Sequence, residues 1–298
     1  MVKKKKVLVS GYIGFNNFGD EAIFYALSKK LKALDCSVSV LCNNKDVVRK
    51  KYDVIAYNFK KPFEILKALL NCDVLVSGGG SLLQNKTSNF SLFYYLFIIF
   101  LAKLLFKKVI VFAQGIEPIR GKFQTNLTKA ILKTVDNISV RDYNSKRLLE
   151  TWKIEAKLVS DPVYSLVQDR KIEENKNGLI VQLRSFDGVD DNLIELLSKN
   201  ILKNYQGKIK VFSFQDEIDE TPCKKMTEIL KANGLEAEYV NNKPIEETIE
   251  IVNNSKFMIS TRLHGVLISE ALKTKTFALI YDAKIKTISD ELKIENIN

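Results

Sequence analysis

Among the 298 residues there is one histidine, His264, and the four cysteines, Cys36, Cys42, Cys72 and Cys223, stand singly, without the paired spacing of a metal site. A lone histidine cannot complete a Cys/His zinc centre, so the thiols read as free groups in strand-like, apolar surroundings. No carboxylate cluster is evident either, and neither a metal nor an organic cofactor is expected. The N-terminus lacks a signal-peptide pattern: Lys3 to Lys6 lead into a short strand-like run and then Gly11, which predicts a cytoplasmic protein. The net charge of +11 comes without a zinc finger, basic zipper or RNP-type motif. Nucleic acid is therefore not an expected partner, and the charge favours small anions or an acidic membrane surface.

What is present is a chain that is 46% apolar and long enough for two domains. Short β-branched runs at residues 6–10, 37–41, 73–77, 109–113 and 138–140 alternate with helical patterns. A second series follows Asp161-Pro162, at 179–183, 209–214, 237–240, 257–260 and 277–281. Such alternation predicts an α/β protein of two Rossmann-like domains, 1–162 and 163–298, with parallel sheets facing a cleft. Ligands of open parallel sheets bind beyond the carboxyl ends of the strands, so the motifs that follow strands carry the weight. Residues 90–106 are almost wholly apolar yet shorter than the ~20 a spanning helix needs. They read either as a buried crossover helix or as one lying on a membrane, its aromatic residues and flanking lysines meeting anionic headgroups.

After the first strand comes a loop holding Gly11, Gly14, Asn16, Asn17 and Gly19, followed by Asp20, Glu21 and a helical pattern over 22–34. Its spacing fits neither a dinucleotide fingerprint nor a nucleoside-triphosphate loop, and Asp20 and Glu21 at the helix start would compete with a phosphate. Asp20 alone is explained as a helix cap. Ser77-Gly78-Gly79-Gly80-Ser81-Leu82-Leu83-Gln84 follows another strand, where glycines let the backbone approach a ligand, though a plain turn fits as well. Gln114-Gly115-Ile116-Glu117-Pro118 repeats the placement. Arg141 and Arg184 follow strands; Arg141 either clamps a carboxylate or phosphate in two-point geometry or pairs with Asp142 at the surface. The strongest pattern is Ser260-Thr261-Arg262-Leu263-His264-Gly265-Val266, where a strand gives way to a helix. A lone histidine is more often structural, but one beside an arginine at such a junction suits a group that faces an anion and moves a proton.

Taken in order, Asn17-Phe18-Gly19-Asp20-Glu21-Ala22-Ile23, the Ser77 to Gln84 loop, Val140-Arg141-Asp142, Ser160-Asp161-Pro162, Arg262-Leu263-His264-Gly265 and Tyr281-Asp282-Ala283-Lys284 resemble the polysaccharide pyruvyl transferases, particularly their CsaB-like bacterial branch. The resemblance runs from about residue 7 to the end. It implies a GT-B-like pair of Rossmann domains and transfer of a pyruvate ketal from phosphoenolpyruvate, a co-substrate, to a sugar. In the family that sugar is commonly N-acetylmannosamine, taken at its 4- and 6-hydroxyls in a lipid-linked cell-wall precursor. It further implies donor contacts at Arg141, Arg262, His264, Gly265 and Lys284, catalysis by His264 with Asp20, and acceptor or loop contacts at Gly14, Asn16, Asn17, Gly19, Gly79, Gly80, Ser81 and Gln84. The chain ends sooner after Lys284 than family members usually do, which reads either as a C-terminally truncated form or as a short member of the family. The implied workplace is the inner face of the plasma membrane. A nucleotide-sugar glycosyltransferase and a non-catalytic membrane-associated scaffold of glycan assembly are the alternatives.

Overall fold

The computed structural model describes residues 4–86, 88–185, 191–280 and 283–297, with only the backbone at 283, 284, 296 and 297. Two compact units form: Met1–Phe15 with Asp20–Pro162, and Asn16–Gly19 with Val163–Asn298.

The first unit alternates strands and helices: β1 (Lys6–Ser10), α1 (Phe18–Ala33), β2 (Ser37–Cys42), α2 (Lys45–Tyr52), β3 (Ile55–Asn58), α3 (Pro62–Leu70), β4 (Val74–Ser77), α4 (Asn89–Leu104), β5 (Lys108–Gln114), α5 (Lys122–Leu132), β6 (Asn137–Val140), α6 (Tyr143–Thr151) and β7 (Lys157–Leu158). Its seven strands are ordered β3-β2-β1-β4-β5-β6-β7 and every pairing is parallel. Right-handed crossovers then place α1 and α2 on one face and α3, α4 and α5 on the other. β4 is buried at all four positions, as a strand covered on both faces must be.

The second unit repeats the scheme with β8 (Leu179–Gln182), α7 (Asp191–Asn204), β9 (Ile209–Phe212), α8 (Asp216–Ala232), β10 (Ala237–Val240), α9 (Ile245–Asn254), β11 (Phe257–Ser260), α10 (Leu263–Ala271), β12 (Lys275–Leu279), α11 (Ala283–Leu292) and β13 (Glu295–Ile297). Its order is β10-β9-β8-β11-β12-β13, again all parallel. In both sheets the strand order reverses at a central pair, β1/β4 and β8/β11, and the crevice beyond those strand ends is where such sheets bind ligands.

Two local expectations are corrected. α1 starts at Phe18, four residues before the helical pattern read from sequence. Its cap is Asn17, whose Oδ1 accepts the Gly19 N–H at 3.1 Å, so Asp20 stands inside the first turn. Residues 90–106 lie largely in α4, which packs as a crossover helix. α4 buries Leu92, Tyr95, Leu96, Ile98, Ile99 and Ala102 against the sheet while Phe90, Phe97, Phe100 and Leu104 face outward.

Cys42, Cys72 and Cys223 are buried free thiols and Cys36 is half-buried. Burial pushes Cys42 and Cys223 up to about 12 and Cys72 up to about 11, and the Glu21 carboxylate adds to the effect at Cys42. These groups stay protonated in the folded chain at a pH where the unfolded chain releases their protons. Their contribution to stability is therefore intact below about pH 9 and is lost as pH rises toward about 12. Denaturant midpoints measured across that interval should fall steadily, and Cys42→Ala should flatten the decline.

Candidate active site

At the carboxyl edge of the first sheet, β1, β4 and β5 end in Ser10, Ser77 and Gln114, all buried. The Gln114 amide donates to Ser77 Oγ and to the Gly78 carbonyl, each at 2.9 Å, and so fixes the start of the glycine turn. Gly78 N–H donates to the Ser10 carbonyl at 2.8 Å and Gly115 N–H to the Gly80 carbonyl at 2.8 Å, which stitches the turn to both neighbouring strand ends. Ala113, at φ 48°, holds the left-handed backbone that alanine adopts only when its surroundings impose it. It lies where the β5–β6 register slips between Val111 and Gln114, a bulge that re-aims the strand end. Gly80 has φ +94°, and a Cβ there would stand 2.9 Å from Asp20 Oδ1, so the Asp20 carboxylate lies directly against the turn. Tyr95 shows the same carboxylate from another side: burial raises its phenol above the ordinary range and Asp20 adds to the rise.

Arg141, immediately after β6, places Nη1 2.8 Å from Asp161 Oδ2 and Nη2 3.1 Å from Ser81 Oγ. Both side chains of the pair are 3% exposed. A Cβ on Gly115 would stand 3.1 Å from this guanidinium, so the glycine makes room for it. The surface pair with Asp142 does not form; Asp142 caps α6 by accepting the Ser145 N–H at 2.7 Å.

In the second unit the edge is organised by a buried polar network. Arg262 Nε and Nη2 reach Asp219 Oδ2 and Oδ1 at 2.9 and 2.6 Å, a two-point ion pair, and Nη2 also donates to Gln215 at 3.2 Å. Asp219 Oδ2 accepts the N–H groups of Phe214 and Gln215, both at 3.0 Å. Ser260 Oγ and Thr261 Oγ1 reach Gln182 Oε1 at 3.1 and 3.2 Å. The ends of β8, β9 and β11 are thereby tied together, and α10 starts from the residue that makes the tie. Gly265 is a packing position, since a Cβ would fall 2.3 Å from Ser260 Oγ.

His264 follows in the first turn of α10, half-buried, where the N–H groups and dipole of the helix favour a negative ligand. Its ring lies against Gly19, whose hypothetical Cβ would be 2.0 Å from His264 Nδ1. The segment carrying Gly19 belongs to this unit through Phe18 N–H to the Phe214 carbonyl (2.9 Å), Asn16 Nδ2 to Glu217 (3.2 Å) and Asn242 Nδ2 to the Asn16 carbonyl (2.7 Å).

The first-unit edge thus gathers Asp20, Gly79, Gly80, Ser81 and Arg141, and the second-unit edge gathers Gly19, Arg262, His264 and Gly265. Gly79 is a close approach to Ile23, at 2.9 Å from a would-be Cβ, and Gln84 Oε1 accepts the Lys86 N–H at 2.7 Å. Gly14, at φ +82°, abuts the Asn43 carbonyl and donates its N–H to Glu21 at 2.7 Å. Lys284 lies in α11, but its side chain and all of Tyr281 and Asp282 fall outside the described residues. Sequence reasoning missed Asp219 and Gln182, and it named Gln114 and Glu21 only as members of their loops, without the anchoring bonds they make. The buried Glu21 also binds Lys51 and the Tyr52 hydroxyl and so anchors the first loop to α2. Among the described residues no three His, Cys, Asp or Glu side chains come together as a cation site.

Two stability measurements follow from these contacts. Gly19→Ala should cost about 1–3 kcal/mol by forcing the imidazole aside, and His264→Ala in the same chain should recover most of that loss. Asp219→Ala should cost about 3–5 kcal/mol because it strands a buried guanidinium, whereas Asp219→Leu with Arg262→Met should be far milder. Chemical denaturation of the single and double variants reads both.

Comparison with known proteins adds a fold and a family. Over 99% of this chain the fold superposes on 88% of the UDP-GlcNAc 2-epimerase from Methanocaldococcus jannaschii, with TM-score 0.65 and 13% identity. A glycosyltransferase from Rickettsia africae gives TM-score 0.62 at 14% identity, covering 99% of this chain and 84% of that one. MurG from Acinetobacter baumannii gives 0.52 at 14%, covering 99% and 85%. At such identities the likeness concerns the fold, which is the expected GT-B-like one, and not the chemistry. No curated protein sequence matches the chain. The profile that does match is that of polysaccharide pyruvyl transferase, over residues 17–283. It begins at Asn17 inside the first glycine loop and spans the Ser77 to Gln84 loop, the Arg141–Asp161 pair and the junction that holds His264, and on that ground the chain belongs to the polysaccharide pyruvyl transferase family, an enzyme family acting with a glycan acceptor and a pyruvyl donor.

Proposed function

We propose that this enzyme takes its pyruvyl group from phosphoenolpyruvate and sets it as a cyclic ketal on two hydroxyls of a sugar in a lipid-linked cell-surface precursor, N-acetylmannosamine being the first acceptor to test. The observation that carries the reading is the setting of His264, held at a helix start by the Arg262–Asp219 clamp and pressed on Gly19. In the balanced reaction, C3 of the enol gains a proton and both sugar oxygens bond to C2. The C2–O bond to phosphate breaks, so the two hydroxyl protons end on the new methyl group and on the departing phosphate. That transfer calls for a side chain that both gives and takes protons near neutral pH, and His264 is the one histidine of the chain. The start of α10 and Lys284 favour the negative charge of phosphoenolpyruvate and of the leaving phosphate.

Asp20, against the Gly80 turn, is assigned to orienting a sugar hydroxyl, because a carboxylate at that place repels an anion and accepts from a neutral donor. Arg141 is assigned to positioning, since Asp161 already neutralises its guanidinium.

Mass spectrometry of synthetic lipid-linked disaccharides incubated with phosphoenolpyruvate tests donor, acceptor and reaction together. The expected result is addition of one pyruvate ketal with release of one phosphate. His264→Ala should lower turnover by about 10²–10⁴-fold with the thermal midpoint retained. Full activity in that variant refutes the role of His264. Thermal stabilisation by a UDP-sugar but not by phosphoenolpyruvate replaces the proposal with nucleotide-sugar glycosyl transfer.

A further inference from the structure

All six exposed phenylalanines of the described chain, Phe63, Phe90, Phe97, Phe100, Phe106 and Phe123, lie on or immediately beside α3, α4 and α5. Phe106 is 97% and Phe63 89% exposed, which is far from the usual scatter of single apolar residues on a surface. The three helices share one face of the sheet, as the crossovers require. Buried residues of α3 and α4 enter the same core, the Phe93 and Phe123 rings meet at 6.4 Å, and Lys107 Nζ donates to the carbonyls of Leu70 and Cys72 at 3.1 and 2.8 Å.

The arrangement also has a direction. Phe63, Phe90 and Phe123 each occupy the second position of their helix. A crossover helix runs antiparallel to its strands, so the three helix starts stand in a row at the carboxyl edge of the sheet, on the side of the glycine turns. Phe97 and Phe100 continue the stripe along α4. Around it the charge is one-sided: residues 59–133 hold eleven Lys and Arg against three Asp and Glu, a net of +8 out of the chain's +11. α4, at sixteen residues and so about 24 Å, is too short to cross a hydrocarbon core of about 30 Å, and no helix among the described residues is long and apolar enough to do so.

We propose that the α3–α4–α5 face docks on an anionic lipid bilayer, with the Phe63–Phe90–Phe123 row and the α4 stripe entering the interfacial layer and the surrounding lysines meeting acidic headgroups. The sign of the charge selects this occupant. A second copy of the chain packed on the same patch would bring a net positive surface against its own image, whereas acidic lipid neutralises it and lets the lysine stems lie along the apolar surface. The inference goes beyond the proposed reaction and needs no substrate for its test.

Flotation of the full chain with vesicles of equal parts phosphatidylcholine and phosphatidylglycerol, and with phosphatidylcholine alone, reads it directly. The wild type should float with the acidic vesicles, less so as salt rises, and stay behind with neutral ones. Phe97→Ser with Phe100→Ser should weaken partitioning about tenfold or more. Lys67→Glu with Lys122→Glu should weaken it and shrink its salt dependence. All of these positions are exposed, so circular dichroism and thermal midpoints should match the wild type. The proposal is overturned if the wild type ignores acidic vesicles or if the phenylalanine variant floats as well as the wild type. It is equally overturned by a wild-type dimer that this variant converts to monomer while vesicle binding is nil, for then a second copy covers the face.

Discussion

The two-point ion pair between Arg262 and Asp219 is the constraint on which the second unit's edge depends. Asp219 is fully buried and Arg262 nearly so, and the same carboxylate also receives two backbone N–H groups from the end of the β9 segment. Moving either side chain would uncover an uncompensated charge, a cost of several kcal/mol, so the starting position of α10 is fixed by electrostatics and not only by packing. His264 is the second residue of that helix, two positions after Arg262. Its position therefore follows from where that pair starts the helix.

The first unit uses the same device at Arg141 and Asp161, with both side chains 3% exposed. In each case an arginine that follows a strand reaches an aspartate distant along the chain, so a guanidinium that reads as an anion receptor in the sequence is already matched inside the fold. The start of α10 adds positive character to the second edge that involves no carboxylate.

Much of this was legible in the sequence, for a definite reason. A parallel strand covered on both faces is a short apolar run, and ten of the thirteen strands among the described residues were readable as such. The missed β3, β7 and β13 are short strands at the outer ends of the sheets, and β3 is only partly buried. The loops after strands carried the glycines and His264, so the edges were legible too. What was not legible was pairing at a distance. Asp219 sits in the acidic run Asp216-Glu217-Ile218-Asp219-Glu220, where nothing local separates the one buried carboxylate from solvated neighbours. The start of α1 was misplaced because Gly19 reads as a loop residue. It stands in a helical turn because His264 occupies the space a side chain would need.

The strand order of the first sheet bears on how the chain is made. β1, made before β2 and β4, lies between them, and Lys6 N–H bonds to Asp73, which immediately precedes β4. Its second neighbour does not exist until residues 74–77 have emerged, so this inner strand waits with one edge bare while residues 11–73 are made. The apolar α4 comes directly after β4 in the chain and is made just as the first strand it covers arrives.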